Sequence, residues 1–183
     1  MKRFTRIACR ITAVAAVVGA FILAPAMARA SAGSPARPSA SAVPPRCQSP
    51  GLGIWLDTTA NGTAGTTFYK LHFTNLSGHA CTLNGFPFLF AVSLTGHQVG
   101  PGAVFRRPPA PHRVTLPNGK TATAVLGIGE TGVLSRSACR PVTAVGLRVF
   151  PPDQTRSELV PFPFSTCSRP HGPASLNVGA VTR

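Results

Sequence analysis

Acidic side chains are almost missing: 183 residues carry only four, Asp57, Glu130, Asp153 and Glu158. Hydrolysis by paired carboxylates, or by a base that a carboxylate positions, needs such groups gathered at one point. Two of these four merely flank a single turn. A G-x-S-x-G elbow is missing too. The five histidines, His72, His79, His97, His112 and His171, are scattered, and no cysteine stands in a C-x-x-C pair, so a zinc site and a thioredoxin-like redox pair have no support. The run Gly127-Ile128-Gly129-Glu130-Thr131-Gly132 has the letters of a dinucleotide fingerprint but no helix after it, and reads as a loop. The sequence thus points to a protein that is not an enzyme, with no catalytic residue, no metal ligand and no cofactor.

Helical patterning is the next thing missing. After residue 46 no segment offers an apolar face at helical spacing over three turns, and 19 prolines and 18 glycines break most attempts at one. The first thirty residues differ. Lys2, Arg3, Arg6 and Arg10 precede an apolar run from Ala13 to Ala26, and Ala28-Arg29-Ala30 follows as a cleavage triplet. The run falls short of the roughly 20 residues that span a bilayer. Residues 1–30 are therefore predicted to be a removable export signal, leaving no transmembrane segment in the mature chain. Cys9 lies before the apolar run, where a lipid is not attached. Residues 31–46 are Ser, Ala, Pro, Gly and Arg apart from Val43, a composition that predicts a disordered tether. Residues 47–183 then form one domain.

What is plentiful is arginine. Five of the 18 basic residues and none of the acids fall in the first thirty positions, which leaves a net charge of +9 on the rest. Such an excess favours anionic partners through a field that salt screens within about 8 to 10 Å, although charge of this kind also serves solubility alone.

After the signal the cysteines number four, Cys47, Cys81, Cys139 and Cys167, as suits structural disulfides in an exported chain. Residues equidistant from a hairpin turn face each other. The midpoint of 139 and 167 falls on Asp153, in the turn-rich Pro151-Pro152-Asp153-Gln154-Thr155. The midpoint of 47 and 81 falls on Ala64, within the turn predicted for Thr58 to Gly65. The predicted pairs are accordingly Cys47 with Cys81 and Cys139 with Cys167.

Alternation dominates the remaining pattern. Tyr69, Leu71 and Phe73 share one face while Lys70 and His72 share the other, and Val145, Leu147 and Val149 alternate against Gly146 and Arg148. Strands are predicted over Leu52 to Asp57, Thr67 to Thr74, Phe88 to Thr95, Arg113 to Leu116, Thr121 to Ile128, Ala144 to Phe150, Glu158 to Phe162 and Ser175 to Val181. The fold class that follows is all-β, an immunoglobulin-like antiparallel β-sandwich with two disulfides. Trp55 is expected in its core, with ligand stacking as the alternative.

Three segments, Cys81-Thr82-Leu83-Asn84-Gly85-Phe86-Pro87, Leu147-Arg148-Val149-Phe150-Pro151-Pro152-Asp153-Gln154-Thr155 and Val160-Pro161-Phe162-Pro163-Phe164-Ser165-Thr166-Cys167, together resemble the secreted actinobacterial family called domain of unknown function 4232. Cys47, Phe73-Thr74-Asn75 and Leu176-Asn177-Val178-Gly179 extend the likeness over most of residues 47–181. The resemblance implies an exported sandwich domain, sometimes tethered to the envelope as a lipoprotein, with no established activity and no catalytic residues to carry over. The segment Phe105 to Arg113 departs from many relatives in being basic and proline-rich. Its Arg106, Arg107 and Arg113 are the candidate contacts to an anionic partner, with His112 beside them. A solvated turn held extended by Pro108, Pro109 and Pro111 explains the same residues.

The functional expectation is a secreted or cell-envelope binding domain, extracellular and associated with the cell wall, that meets its partner through sandwich-end loops or an exposed sheet edge. An anionic wall polymer and an extracellular protein are the candidate partners. The alternatives are a secreted protease inhibitor presenting Phe105 to Arg113 and a module that binds polyanions through its charge.

Overall fold

The computed structural model describes residues 43–183. The predicted signal, 1–30, and the first part of the predicted tether lie outside the described residues. The strands are β1 (Leu52–Thr63), β2 (Thr66–Asn75), β3 (Cys81–Asn84), β4 (Phe88–Val92), β5 (Gln98–Val99), β6 (Val104–Arg106), β7 (Arg113–Leu116), β8 (Thr121–Gly129), β9 (Pro141–Phe150), β10 (Glu158–Cys167) and β11 (Leu176–Gly179). A single helical turn, α1 (Arg136–Cys139), precedes β9, its Ser135 hydroxyl accepting the Ala138 N–H.

The strands form a sandwich. One sheet runs β1-β2-β8-β11-β6, the other β10-β9-β4-β5, and a two-stranded ladder, β3-β7, contributes to the same core. Neighbouring strands are antiparallel except β11 and β6. Packing follows the alternation. Leu71 and Phe73 of β2 turn inward directly beside Ala124 and Ala122 of β8, so large side chains on one strand fit the space left by small ones on the next. Leu89, Leu147 and Val149 close the core from the other sheet.

Several boundaries depart from expectation. β1 does not stop at Asp57 but runs on to Thr63, carrying a bulge between Asp57 and Asn61. Polar Thr58 to Thr63 reads as a turn in sequence because neither of its faces is buried. The Asp57 carboxylate accepts the Thr59 N–H at 2.9 Å and fixes the bulge. β10 continues past Phe162 to Cys167 through Pro161 and Pro163, which an edge strand tolerates because its outer N–H groups need no partner. β4 ends at Val92 rather than Thr95, and β11 is trimmed at both ends.

The disulfides join Cys47 to Cys81 and Cys139 to Cys167, as expected, with Cα atoms 4.9 and 4.5 Å apart. The geometric reason holds better for the second than for the first. Cys167 faces Pro141 at the end of the β9-β10 hairpin, and Cys139 sits just before it in α1. Cys47 and Cys81, by contrast, do not oppose each other across the β1-β2 hairpin. The residues before Cys47 lie parallel to β3, with Arg46 bridged to Thr82. There the Thr82 N–H donates to the Pro45 carbonyl (2.8 Å) and the Cys47 N–H donates to the Thr82 carbonyl (2.9 Å).

Candidate functional site

Because Leu71 and Phe73 point inward, Phe68, Lys70 and His72 must point outward from the five-stranded sheet. The register sets Trp55 beside His72 and Asp57 beside Lys70 on β1, and Val125 and Gly127 beside Lys70 and Phe68 on β8. Asn177 of β11 is next to Gly127, and Arg106 of β6 is next to Gly179. A Cβ at Gly127 would lie 2.5 Å from the Asn177 amide. Glycine there lets that amide lie flat across the sheet.

Trp55 is not a core residue. It is 47% exposed and lies on this outer face. The pleat decides the matter: Ile54 and Leu56 hold the inward positions of β1, which leaves the residue between them to solvent. The ring is nonetheless held. It stacks on His72 with centroids 4.0 Å apart and planes 16° from parallel, and its indole N–H donates to the Thr74 hydroxyl at 3.3 Å. Thr74 in turn pairs with the Thr121 hydroxyl at 2.9 Å.

Beneath Trp55, His72 Nδ1 contacts the Thr123 hydroxyl at 3.3 Å, while Nε2 is buried without a partner. Burial, aided by Lys70, pushes the imidazole below its ordinary pKa against the opposing pull of the Asp57 carboxylate. Asp57 itself is held below the ordinary carboxylate range, chiefly by the Thr59 hydrogen bonds. A histidine with a lowered folded pKa binds its proton more readily when unfolded. The stability due to neutral His72 is therefore complete above the unfolded value of about 6.5 and is lost as pH falls through that value toward the folded one. Denaturant midpoints measured from pH 7.5 to pH 5 are expected to fall, and the fall is expected to flatten in His72→Gln; equal slopes in the two proteins would contradict the burial account.

The three arginines proposed from sequence are spread over different surroundings. Arg106 ends β6 with its guanidinium 4.7 Å above the Phe68 ring, on the same outer face as Trp55. Arg107 lies 5.6 Å over Phe86, which also stacks against Phe105 at 4.9 Å. Arg113 begins β7 opposite Asn84 and lines a cavity together with Arg46. Exposed cation–π contacts of this kind contribute about 0.5 to 1 kcal/mol each. Among the described residues no group of three His, Cys, Asp or Glu side chains is placed to hold a metal ion, and no helix is long and apolar enough to cross a membrane.

The family model described as "Domain of unknown function (DUF4232)" matches residues 47–182. The chain belongs to this family. The match begins at the first cysteine of the Cys47–Cys81 bridge and ends one residue short of the C-terminus, so the domain of unknown function and the disulfide-tied sandwich coincide. A search of the curated proteins found no match.

His72, Phe68 and Asn177 were not singled out by sequence reasoning. The signal for the first lay in the alternation of β2, which already put Lys70 and His72 on one face opposite Leu71 and Phe73. Asn177 carried no such signal, because its place beside Gly127 depends on the pairing of β11 with β8. A second aromatic group, Phe88, Phe90 and Phe150 with centroids about 6 Å apart, occupies the outer face of the four-stranded sheet.

Proposed function

We propose that this member of the family is a non-enzymatic binding domain of the cell exterior and that the outer face of its five-stranded sheet is the working surface. The observation that carries the reading is Trp55, a large aromatic ring left nearly half in water yet fixed by His72 and Thr74. A ring held rigid before contact loses little entropy on binding, which is why such residues serve as anchors at interfaces. Lys70 and Arg106 outnumber the single carboxylate of this face, Asp57, which favours an anionic partner, and flat aromatic surface suits the apolar faces of sugar rings. An anionic wall polymer unites both features. Two disulfides support an oxidising compartment outside the cytosol, as does the signal anatomy of residues 1–30.

Trp55 is the sole tryptophan, so its fluorescence reports this surface alone. Titration with anionic polysaccharide from the producing cell's envelope is expected to shift that emission at physiological salt. In Trp55→Ala, capture of the same polymer on an affinity resin is expected to fall by about tenfold or more, with a stability loss of about 1 to 3 kcal/mol from the lost stack and hydrogen bond that leaves the domain folded. Undiminished capture by the variant would remove the sheet face from consideration. Capture seen only at low salt, in both proteins alike, would leave the positive charge as its whole cause.

A further inference from the structure

A cavity of about 250 Å³ lies where the residues leading into the domain meet the β3-β7 ladder and the β9-β10 turn. Its polar lining is Arg46, Arg113, Asn84, Thr82 and Asp153. The lining thus holds two arginines and a single carboxylate. Arg46 and Asp153 approach at 3.7 Å with side chains 71% and 56% exposed, an ion pair of the kind that contributes little to stability. Arg113 makes no ion pair among the described residues, which leaves one positive charge of the cavity uncompensated.

The backbone that carries the lining is fixed before any ligand arrives. Arg113 and Asn84 are direct partners in the β3-β7 ladder, so their side chains leave adjacent points of one rigid element. Arg46 immediately precedes Cys47 and is bridged to Thr82, next to the Cys47–Cys81 disulfide. Asp153 occupies the left-handed region at φ 58 and follows the buried Pro151 and Pro152, so its turn is held in place as well. Its φ is one that Asp tolerates better than most residues.

We propose that this cavity binds a small anion bearing a carboxylate or phosphate group, with Arg113 and Arg46 as its charged ligands and Asn84 as a neutral donor. The anion replaces Asp153 as the partner of Arg46. That exchange requires little energy because the Arg46–Asp153 pair is exposed, and planar guanidinium groups match the oxygen geometry of both anion types. The volume falls below that of sites for drug-sized ligands and suits phosphate or one acidic sugar. Since Val43, Pro44 and Pro45 form part of the wall, an occupied cavity also holds the end of the predicted tether against the domain. The site is separate from the Trp55 face, and the failure of either proposal leaves the other standing.

The test is a nitrogen–proton NMR titration, at low salt, of protein purified after expression of the full coding sequence. The probes are inorganic phosphate, galacturonate, polygalacturonate and uncharged galactose. Phosphate or galacturonate is expected to give saturable shifts at the Thr82, Asn84 and Arg113 amides, while galactose gives none. Arg113→Gln is expected to weaken binding by about tenfold or more, as loss of a charged hydrogen-bond donor does. Asp153→Asn is expected to tighten it several-fold by removing the competitor for Arg46. Lys120→Gln, which removes the same charge at an exposed turn, is expected to change nothing. The amide spectrum itself reports whether each variant is folded. Preference for polygalacturonate over galacturonate would identify a polymer-borne anion, and the reverse a free one. Shifts that do not saturate, equal response to galactose, or equal weakening in Lys120→Gln would overturn the proposal.

Discussion

Replacing Cys47 and Cys81 together by Ala is expected to lower the free energy of unfolding by about 3 to 4 kcal/mol, and replacing Cys139 and Cys167 by nearly the same amount. The sequence separations, 34 and 28 residues, are close, and the entropy that a crosslink removes from the unfolded chain grows only with the logarithm of loop length. All four sulfurs belong to buried residues, so Ala at these positions adds a modest packing loss. A domain of this size commonly has about 5 to 15 kcal/mol in total. Either pair removed alone should therefore leave a folded protein with a lower guanidinium midpoint, and both removed together should cost about 6 to 8 kcal/mol, half or more of such a total. A double variant with an unchanged midpoint would show that the hydrophobic core alone suffices. The slope of each transition also needs comparison, since loss of a crosslink expands the unfolded state and steepens it.

The second large effect is expected at Asn75, a side chain with no exposure at all. Its amide N–H groups donate to the His79 and Leu116 carbonyls, both at 2.8 Å, and its oxygen accepts the Ser77 N–H at 3.0 Å and the Ser77 hydroxyl at 2.7 Å. One residue thus ties the turn after β2 to the end of β7. Asn75→Ala takes this partner from the Leu116 carbonyl and the Ser77 N–H, while the Ser77 hydroxyl still reaches the His79 carbonyl at 3.1 Å, and it is expected to cost about 2 to 5 kcal/mol, since each buried polar group left unpaired costs about 1 to 3. Asn75→Asp is the sharper variant. It keeps the acceptor for Ser77 but turns an oxygen toward two carbonyl oxygens in a dry site, so its folded pKa must rise. An acid with a raised folded pKa is penalised above its unfolded value of about 4. The deficit relative to the parent protein should be greatest at neutral pH and shrink as pH falls toward that value. The linkage to His72 is common to both proteins and cancels in the difference, so the trend belongs to position 75. A pH-independent deficit would show that packing, not the donor pair, is what Asn75 supplies. The same contacts account for the sequence Asn75-Leu76-Ser77, which matches a glycosylation pattern by its letters only: an amide engaged on all sides and shut off from solvent is not available for modification.

The strands legible in sequence were those long enough to show a period. β2, β8 and β9 reveal their inward faces because a buried face excludes polar residues at every second position, and β7 was bounded exactly as expected. β3, β5 and β6 were not foreseen. β5 and β6 span two and three residues, too few for alternation to be seen, and β3 buries Cys81, Thr82 and Leu83 in succession, so it has no alternation to show. Trp55 was misplaced because residue type was given more weight than pleat parity, although Ile54 and Leu56 on either side already claimed the interior. The disulfide pairing was legible through symmetry about the turns, yet for Cys47 and Cys81 that symmetry gave the right partner from a geometry the protein does not use. The arginines were legible as a charged segment only. Which surface each one serves depends on neighbours far away in sequence: Phe68 for Arg106, Phe86 for Arg107, and Asn84 and Arg46 for Arg113.

The placement of the two crosslinks has a mechanical meaning. Tension applied to the residues before Cys47 passes through the sulfur bridge to Cys81 and continues along β3, so β1 and β2, enclosed between the two cysteines, carry no load. The same detour at Cys139 and Cys167 removes β9 and β10 from the line of force. The two longest hairpins, one from each sheet, are thereby insulated from a pull on the chain ends. Only the segments between and after the bridged loops can be drawn out while the sulfurs stay joined, and an oxidised domain held at one end in a flowing or shearing medium keeps the hairpin that carries Trp55 out of the path of the strain.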